Sequence, residues 1–339
     1  MLRKRIIAAA ALLPLLLSLF ACARPQEEQA YPIHTEEQAA YLADTYDTIR
    51  AYTDGTEEKS KPLSVIIKLD GSDGRDVRVS EYEDLRDAVT YYAASGRLEL
   101  KNLKIGTRYY YDDGKTVRSF VTDAAAPRNL DVDGVTNVRD CGGWVNADGK
   151  TLRQGMIFRC GRLSEVDGQL RITADGQKTF LEDLGIKTEL DLRNELNAEA
   201  AAIPPLPGTN YVWCPMTSEG RFYYTNEEII PEIFAVFGDE ANYPIIFHCA
   251  IGTDRTGFIA FLIGAVCGVS REDLAYDYLF SCFGEIGDTR TYSQVKTDYV
   301  NPIREYTDGT LAESAEKWLL DKGVKQSDID TLRRMMLGE

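Results

Sequence analysis

Histidine is scarce in this chain, and the common metal-binding patterns are missing. Only two histidines, His34 and His248, occur in 339 residues. There is no C-x2-C pair, H-E-x-x-H helix or EF-hand loop, so neither a metal site nor any other cofactor is predicted. His248 directly precedes Cys249, and neighbours on a strand point to opposite faces, which disfavours a cysteine–histidine protease dyad.

Positive charge is also in short supply. The chain has 38 lysines and arginines against 54 aspartates and glutamates, a formal net charge of -16. Such a surface repels the phosphates of nucleic acid, so no nucleic-acid partner is expected. A phosphorylated substrate would need a local basic pocket.

The cysteines do not form a recognisable disulfide framework. There are seven, an odd number with irregular spacing. Most are therefore expected to be buried free thiols, although a pairing of Cys141 with Cys160 stays open.

No apolar run is as long as an ordinary membrane-spanning helix, and the longest one near the start has the parts of a secretion signal. Basic residues 3–5 precede an apolar run at 6–20 that Pro14 interrupts. This order predicts a signal peptide at 1–21 and an extracytoplasmic protein. The end of the run resembles a lipoprotein box, which implies lipidation of Cys22 and attachment to the cell membrane, with simple cleavage and secretion as the alternative.

The first part of the remaining chain is expected to be a tether followed by a small β unit. Residues 22–61 are polar with a short helix from Glu37, whereas 62–126 contain short alternating strands separated by Gly and Asp turns. This pattern predicts an all-β sandwich. Residues 102–111 resemble a fibronectin type III or immunoglobulin-like strand pair, which suggests a spacer or a module that orients substrate.

Residues 127–339 alternate between strands and helices. Strands are expected near 135, 157, 189, 212 and 245, which predicts an α/β fold with a mixed, mainly parallel sheet covered on both faces. Two Ser-x-x-Asp sequences, at 270–273 and 327–330, predict helix-opening caps.

The strongest chemical signal lies at 244–257, where an apolar strand is followed by Cys249 and a long apolar helix. The connecting loop would aim main-chain N–H groups at an anion near the positive end of the helix dipole. That field favours a thiolate at Cys249, which could then attack phosphorus. Arg255 can pair with two phosphate oxygens. The loop has no G-K-[ST] sequence, which argues against a nucleotide-binding Walker loop.

This loop, H-C-A-I-G-T-D-R-T-G, resembles the H-C-x5-R-[ST]-G signature of the protein tyrosine phosphatase superfamily. More narrowly, it is similar to the bacterial tyrosine and lipid phosphatase-like family with H-C-x-x-G-K-D-R-T-G. The segments at 137–144, 155–163 and 184–193 resemble further blocks of that family in the same order. The resemblance implies that Ala250, Ile251, Gly252, Thr253, Arg255 and Thr256 bind phosphate. Thr253 departs from the family's usual lysine, which weakens a phosphoinositide substrate more than a phosphotyrosine one.

The sequence offers two candidates for the proton donor to the leaving group. Trp213-Cys214-Pro215-Met216 carries no acid where many members of the superfamily have an aspartate. The resembling family takes its acid from the loop, which maps to Asp254, with Glu219 in reserve and helix capping as the alternative role for Asp254. Thr256 could offer its hydroxyl to the thiolate, and His248 is expected to support the loop from beneath.

Four more arginines lie in the resembling blocks: Arg139, Arg159, Arg162 and Arg193. Each is expected to line the pocket or to form a salt bridge with a residue such as Asp140, Asp191 or Glu195. Taken together, the sequence predicts a cysteine-dependent phosphomonoester hydrolase acting on phosphotyrosine or related protein phosphoesters. The alternatives are an inositol phosphate or phosphoinositide phosphatase and an inactive surface protein that binds phosphorylated ligands.

Overall fold

The computed structural model of the protein describes residues 30–43, 57–196, 204–219, 222–286, 290–304 and 306–338. The predicted signal peptide and Cys22 lie outside these residues. Within them, no helix combines the length and apolar character needed to cross a membrane.

The segment before the β unit is packed against the rest of the chain. Helix α1 (Glu36–Ala43) buries Tyr41 completely, and the ring of Tyr41 contacts those of Tyr276, Phe280 and Phe283. The Tyr41 hydroxyl donates to the carbonyl of Tyr276 at 3.1 Å. The described part of the predicted tether therefore departs from the expectation of a free spacer, because its few apolar side chains are buried.

Residues 65–121 form two antiparallel sheets. One sheet pairs β1 with β4, and the other has the order β3, β2, β5, β6. The six strands are β1 (Val65–Lys68), β2 (Arg75–Ser80), β3 (Val89–Ala93), β4 (Arg97–Leu100), β5 (Arg108–Asp112) and β6 (Val117–Val121). Alternate residues of both sheets, including Val77, Leu98 and Tyr109, meet in one apolar core. Whether this unit is a separate domain of fibronectin or immunoglobulin type stays a prediction.

The second part of the chain is built on a five-stranded sheet. Its strands are β7 (Arg139–Asp140), β8 (Ile157–Cys160), β9 (Thr188–Arg193), β10 (Asn210–Met216) and β11 (Ile245–His248). The order is β10, β9, β11, β8, β7, and all pairs are parallel except β7 with β8. The mixed, mainly parallel sheet is therefore confirmed, and β11 is at its centre.

Apolar clusters cover both faces of this sheet. Phe247 and Ile245 point into the larger cluster, whereas Ile246 and Phe158 point into the smaller one on the other face. The helices are α2 (Ala174–Lys178), α3 (Phe222–Thr225), α4 (Ile230–Phe237), α5 (Asp254–Val266), α6 (Arg271–Phe280), α7 (Tyr292–Val295), α8 (Asn301–Arg304), α9 (Leu311–Asp321) and α10 (Gln326–Leu337). Helix α5 is buried from Arg255 to Val266, so it is the central helix of the larger cluster.

One of the two predicted helix caps is formed. Ser270 caps α6, because its side chain accepts a hydrogen bond from the N–H of Asp273 at 3.0 Å. The second prediction was wrong: α10 begins at Gln326, after Lys325 in the capping position, so Ser327 already lies in the first turn. The backbone enters that helix earlier than the Ser-x-x-Asp pattern indicates.

Candidate active site

Cys249 lies at the carboxyl end of β11 and begins the loop that leads into α5. The residue is only 1% exposed. Gly252 takes a φ of 72°, and a Cβ atom there would lie 2.5 Å from the carbonyl carbon and oxygen of Cys160. The loop thus depends on glycine at this position for its conformation and for its close approach to β8.

Three consecutive carbonyls of the loop are held from outside. The Ala250 carbonyl accepts from the N–H of Arg162 at 3.2 Å, that of Ile251 from Nδ2 of Asn137 at 3.1 Å, and that of Gly252 from Nη2 of Arg159 at 2.7 Å. The N–H groups of residues 250–253 donate no hydrogen bond to any of the described residues. Because carbonyl and amide of a peptide point in opposite directions, these amides converge on the inside of the loop, as an anion site requires.

Arg255 is buried beside this loop with its guanidinium fixed by Glu195. Its Nη1 and Nη2 donate to the two carboxylate oxygens of Glu195 at 2.9 and 2.6 Å, and Nη1 also reaches the carbonyl of Met216 at 3.2 Å. Burial works against the charge, but the hydrogen bonds to Glu195 and the nearby Cys249 raise the pKa of Arg255. The Nε–H and one Nη2–H have no acceptor among the described residues, so they are available to a phosphate.

Asp254 is the first residue of α5, and its carboxylate is already engaged. It accepts hydrogen bonds from the Tyr278 hydroxyl at 2.9 Å and from Nε and Nη2 of Arg290 at 3.1 and 3.0 Å. Its side chain is 28% exposed. The reserve candidate Glu219 lies in the exposed segment after β10. For Asp254 to donate a proton, its contact with Arg290 must open.

The two threonines of the loop are buried. The hydroxyl of Thr256 has no hydrogen-bond partner among the described residues, so the expected contact with the Cys249 sulfur is not formed. Thr253 is fully buried, with its hydroxyl 3.4 Å from Nδ2 of Asn137. The Thr253 hydroxyl therefore lies on the side of the loop where Asn137 contacts the Ile251 carbonyl.

His248 lies beneath the loop, where it was expected. Its Nε2 is 3.1 Å from Oε1 of Glu189, and both residues are fully buried. Burial raises the pKa of Glu189, against the effect of the histidine. The neighbouring Asp191 pairs with Arg193 through two nearly parallel contacts of 3.0 and 2.6 Å, which is one of the predicted salt bridges.

Arg139 and Arg159 pair with a residue that the sequence analysis missed. Both contact the carboxylate of Asp277 on α6, and Nε of Arg139 lies 3.1 Å from it. Asp140 pairs instead with Arg128, at 2.8 Å. Nothing in the sequence around Asp277 marks it, because acidic residues are common on this helix. Asn137, by contrast, was within a block already quoted.

No cysteine in the described part of the chain, Cys249 included, forms a disulfide. All six in the described part of the chain are buried and free, including Cys141 and Cys160. A pairing of those two is therefore not formed. No group of three metal-binding side chains occurs in the described residues either.

The sequence is similar to those of two proteins described as phosphatases. A Cupriavidus necator protein described as a candidate tyrosine-protein phosphatase is 29% identical over 184 residues, 45% of this chain and 63% of that protein. The triple specificity protein phosphatase PtpB of Mycobacterium tuberculosis is 26% identical over 126 residues, 29% of this chain and 45% of PtpB. The chain thus spans less than two thirds of either relative.

Two solved structures match the chain with low identity and low TM-scores. The core catalytic domain of the PP-IP phosphatase SIW14 from S. cerevisiae has 18% identity and a TM-score of 0.33, with coverage of 50% of this chain and 93% of that domain. P. aeruginosa TpbA in complex with pTyr has 15% identity and a TM-score of 0.29, with coverage of 53% and 86%.

The sequence profile of the tyrosine phosphatase family matches residues 130–338, which is more than half of the chain. This confirms the resemblance to the superfamily, while the narrower family with the H-C-x-x-G-K-D-R-T-G loop stays a prediction. The chain belongs to the tyrosine phosphatase family.

Proposed function

We propose that this protein is a cysteine-dependent phosphomonoester hydrolase that acts chiefly on phosphotyrosine. One observation carries the proposal: the carbonyls of Ala250, Ile251 and Gly252 are held outward, which leaves the loop amides next to Cys249 free for an anion. Such a cradle stabilises the charge of a phosphoryl group in the transition state.

In the first step, the Cys249 thiolate attacks phosphorus and the bond from phosphorus to the leaving oxygen breaks. Asp254 gives its proton to that oxygen, which leaves as a neutral alcohol or phenol. The free donors of Arg255 and the loop amides hold the remaining phosphoryl oxygens. Glu195 contributes by fixing the plane of the guanidinium.

In the second step, water attacks the phosphocysteine. The sulfur–phosphorus bond breaks, the water proton returns to Asp254, and inorganic phosphate and the Cys249 thiolate are released. The net reaction is hydrolysis of a phosphomonoester, without a metal or other cofactor.

Phosphotyrosine is favoured over phosphoinositides by the chemistry at position 253. Thr253 is buried and offers no cation to a highly charged headgroup. An inositol phosphate or phosphoinositide is the rival substrate class, and a phospholigand-binding protein without turnover is the rival function.

The deciding experiment measures hydrolysis of p-nitrophenyl phosphate by the purified protein and by Cys249→Ser. We expect turnover only in the wild type, and retained binding of a phosphotyrosine peptide by the variant, since serine keeps the loop's shape. Binding without turnover by the wild type would support the inactive-binder alternative. Faster hydrolysis of inositol hexakisphosphate or phosphoinositides than of phosphotyrosine peptides would support the rival substrates.

We also propose that the protein works outside the cytoplasm, anchored through a lipid on Cys22. Support comes from the basic, apolar and small-residue order of residues 3–22. Fractionation of bacteria expressing the full chain should recover it with membranes after a high-salt wash. Recovery from the medium would indicate secretion without an anchor.

A further inference from the structure

Two fully buried arginines share a single carboxylate beneath the catalytic loop. Arg139 and Arg159 are both 0% exposed and both contact Asp277. Arg159 also donates to the Gly252 carbonyl, and Arg139 bonds Asn137, which holds Ile251. We call these three residues the Arg139–Asp277–Arg159 triad.

Most other buried arginines around the site pair with a carboxylate of their own. In the described part of the chain, the pairs are Arg128–Asp140, Arg193–Asp191, Arg255–Glu195 and Arg290–Asp254. His248 and Glu189 form a further pair, which has no net positive charge when the carboxyl is ionised. The triad has two guanidiniums for one carboxylate, so it carries one excess positive charge. Arg162 and Arg171 also share one carboxylate, that of Glu165, but these side chains are about one third exposed, whereas the two arginines of the triad are fully buried.

Among the described residues, no carboxylate other than that of Asp277 contacts the two arginines. Cys141, Tyr41 and Tyr299 interact with the arginines of the triad, but burial raises the pKa of each of them, so all three are neutral at neutral pH. Burial and the adjacent Arg159 lower the pKa of Arg139 to about 10, which still leaves it protonated. A buried charge without a counter-ion is costly, and an anion close by would relieve that cost.

We propose that the Arg139–Asp277–Arg159 triad supplies a buried positive charge that holds Cys249 as a thiolate before substrate binds. This inference rests on the proposed function, because it assigns the charge to the nucleophile of that reaction. Asp277 is then a positioning residue: it orients both arginines and sets the net charge of the triad. Arg159 brings the charge to the loop by direct contact, and Arg139 through Asn137.

The test compares four proteins in which the triad has a different net charge. Arg139→Gln makes it neutral, Asp277→Asn makes it +2, and the double variant restores +1. The measurement is the pH dependence of iodoacetamide labelling of the protein without substrate, with Cys249→Ser as the blank. By Coulomb's law, a unit charge about 12 Å from a sulfur in a medium of effective dielectric constant about 20 corresponds to a shift of roughly one pH unit.

We expect the labelling midpoint to rise by about one pH unit in Arg139→Gln, to fall in Asp277→Asn and to return to the wild-type value in the double variant. Arg271→Gln, which removes an exposed charge from the start of α6, should leave it unchanged. If the triad only stabilised the fold, the substitutions would lower the extent of labelling or the melting temperature, but the labelling midpoints would not follow the net charge of the triad. An unmoved midpoint in Arg139→Gln, or any other ranking, overturns the proposal.

If Asp277→Asn does not fold, the comparison of Arg139→Gln with the wild type and Arg271→Gln still decides: a rise in the labelling midpoint of about one pH unit in Arg139→Gln alone supports the proposal, and an unmoved midpoint overturns it. Because no substrate is present, the result is independent of turnover. A protein that shows the expected order but does not hydrolyse p-nitrophenyl phosphate contradicts the proposed function alone.

Discussion

At the scale of single residues, Asp254 has two roles that compete. Its carboxylate oxygens accept hydrogen bonds from Tyr278 and Arg290, whereas the acid of the reaction must itself donate a proton to the leaving oxygen. Asp254→Asn keeps most of this geometry and removes the proton. We expect turnover to fall by about 10²–10⁴-fold, and more for a phenyl phosphate than for p-nitrophenyl phosphate, whose leaving group needs less assistance.

Glu219→Gln is the matched comparison for that prediction, because it makes the same change at the reserve carboxylate. It should remain near wild-type activity. Full activity in Asp254→Asn, together with a loss in Glu219→Gln, would move the acid to Glu219 and leave Asp254 as a structural residue at the start of α5.

At the scale of elements, the catalytic loop is a strand-to-helix connection whose conformation depends on Gly252. Alanine there requires φ of 72° and places a methyl group 2.5 Å from the Cys160 backbone. Gly149 has a similar φ of 77° but open space around it, so Gly149→Ala measures the conformational cost alone. We expect Gly149→Ala to lower the free energy of unfolding by about 1 kcal/mol and Gly252→Ala by several times more.

The same pair distinguishes local strain from damage to the site. Gly252→Ala should also lose phosphatase activity, since the shifted backbone no longer aims its amides at one point. Urea unfolding and p-nitrophenyl phosphate hydrolysis are the two measurements. Equal effects of the two substitutions on the free energy of unfolding would mean that the backbone of β8 moves to make room for the added methyl group.

Elements were predictable where their pattern was local. The five strands of the central sheet lie near the expected positions, and the cap at Ser270 is formed. Strands β2 and β3 were missed. In β2, Val77 and Val79 face the core but alternate with charged residues, and this short period-two pattern directly follows a turn rich in Gly and Asp, so it was not assigned to a strand.

At the scale of the whole molecule, the segment that precedes the β unit is packed against the phosphatase part. His34 is 3% exposed, and its Nε2 lies 2.8 Å from the carbonyl oxygen of Pro127, which is 93 residues away in the sequence. Burial lowers the pKa of His34 from its ordinary value of 6.5. The folded protein therefore prefers the neutral imidazole.

The sign of the pH effect follows from this direction. Below pH 6.5 the unfolded chain binds a proton at His34 more readily than the folded chain, so stability falls as the pH decreases from 7 towards 5.5. His34→Gln keeps a donor for Pro127 and does not titrate. We expect the melting temperature of the wild type to drop more steeply than that of the variant over this range, and parallel curves would contradict a buried neutral His34.

The sequence by itself determined the chemistry of the loop. Cys249, Gly252 and Arg255 are contiguous in the chain, and a strand, a tight turn and a buried helix are local patterns, so the anion site follows from nearby residues. The sequence also determined the α/β class of the second part, because strands and helices alternate there.

Only the tertiary structure decided which residues hold that loop in place. Several of these residues are distant in sequence from the groups they bind: Glu195, Asp277, Tyr278 and Arg290. A single acidic or basic residue in the sequence does not indicate which residue it will pair with. The physical reason is that a buried charge is tolerated only beside its counter-ion, and the fold alone brings the two together.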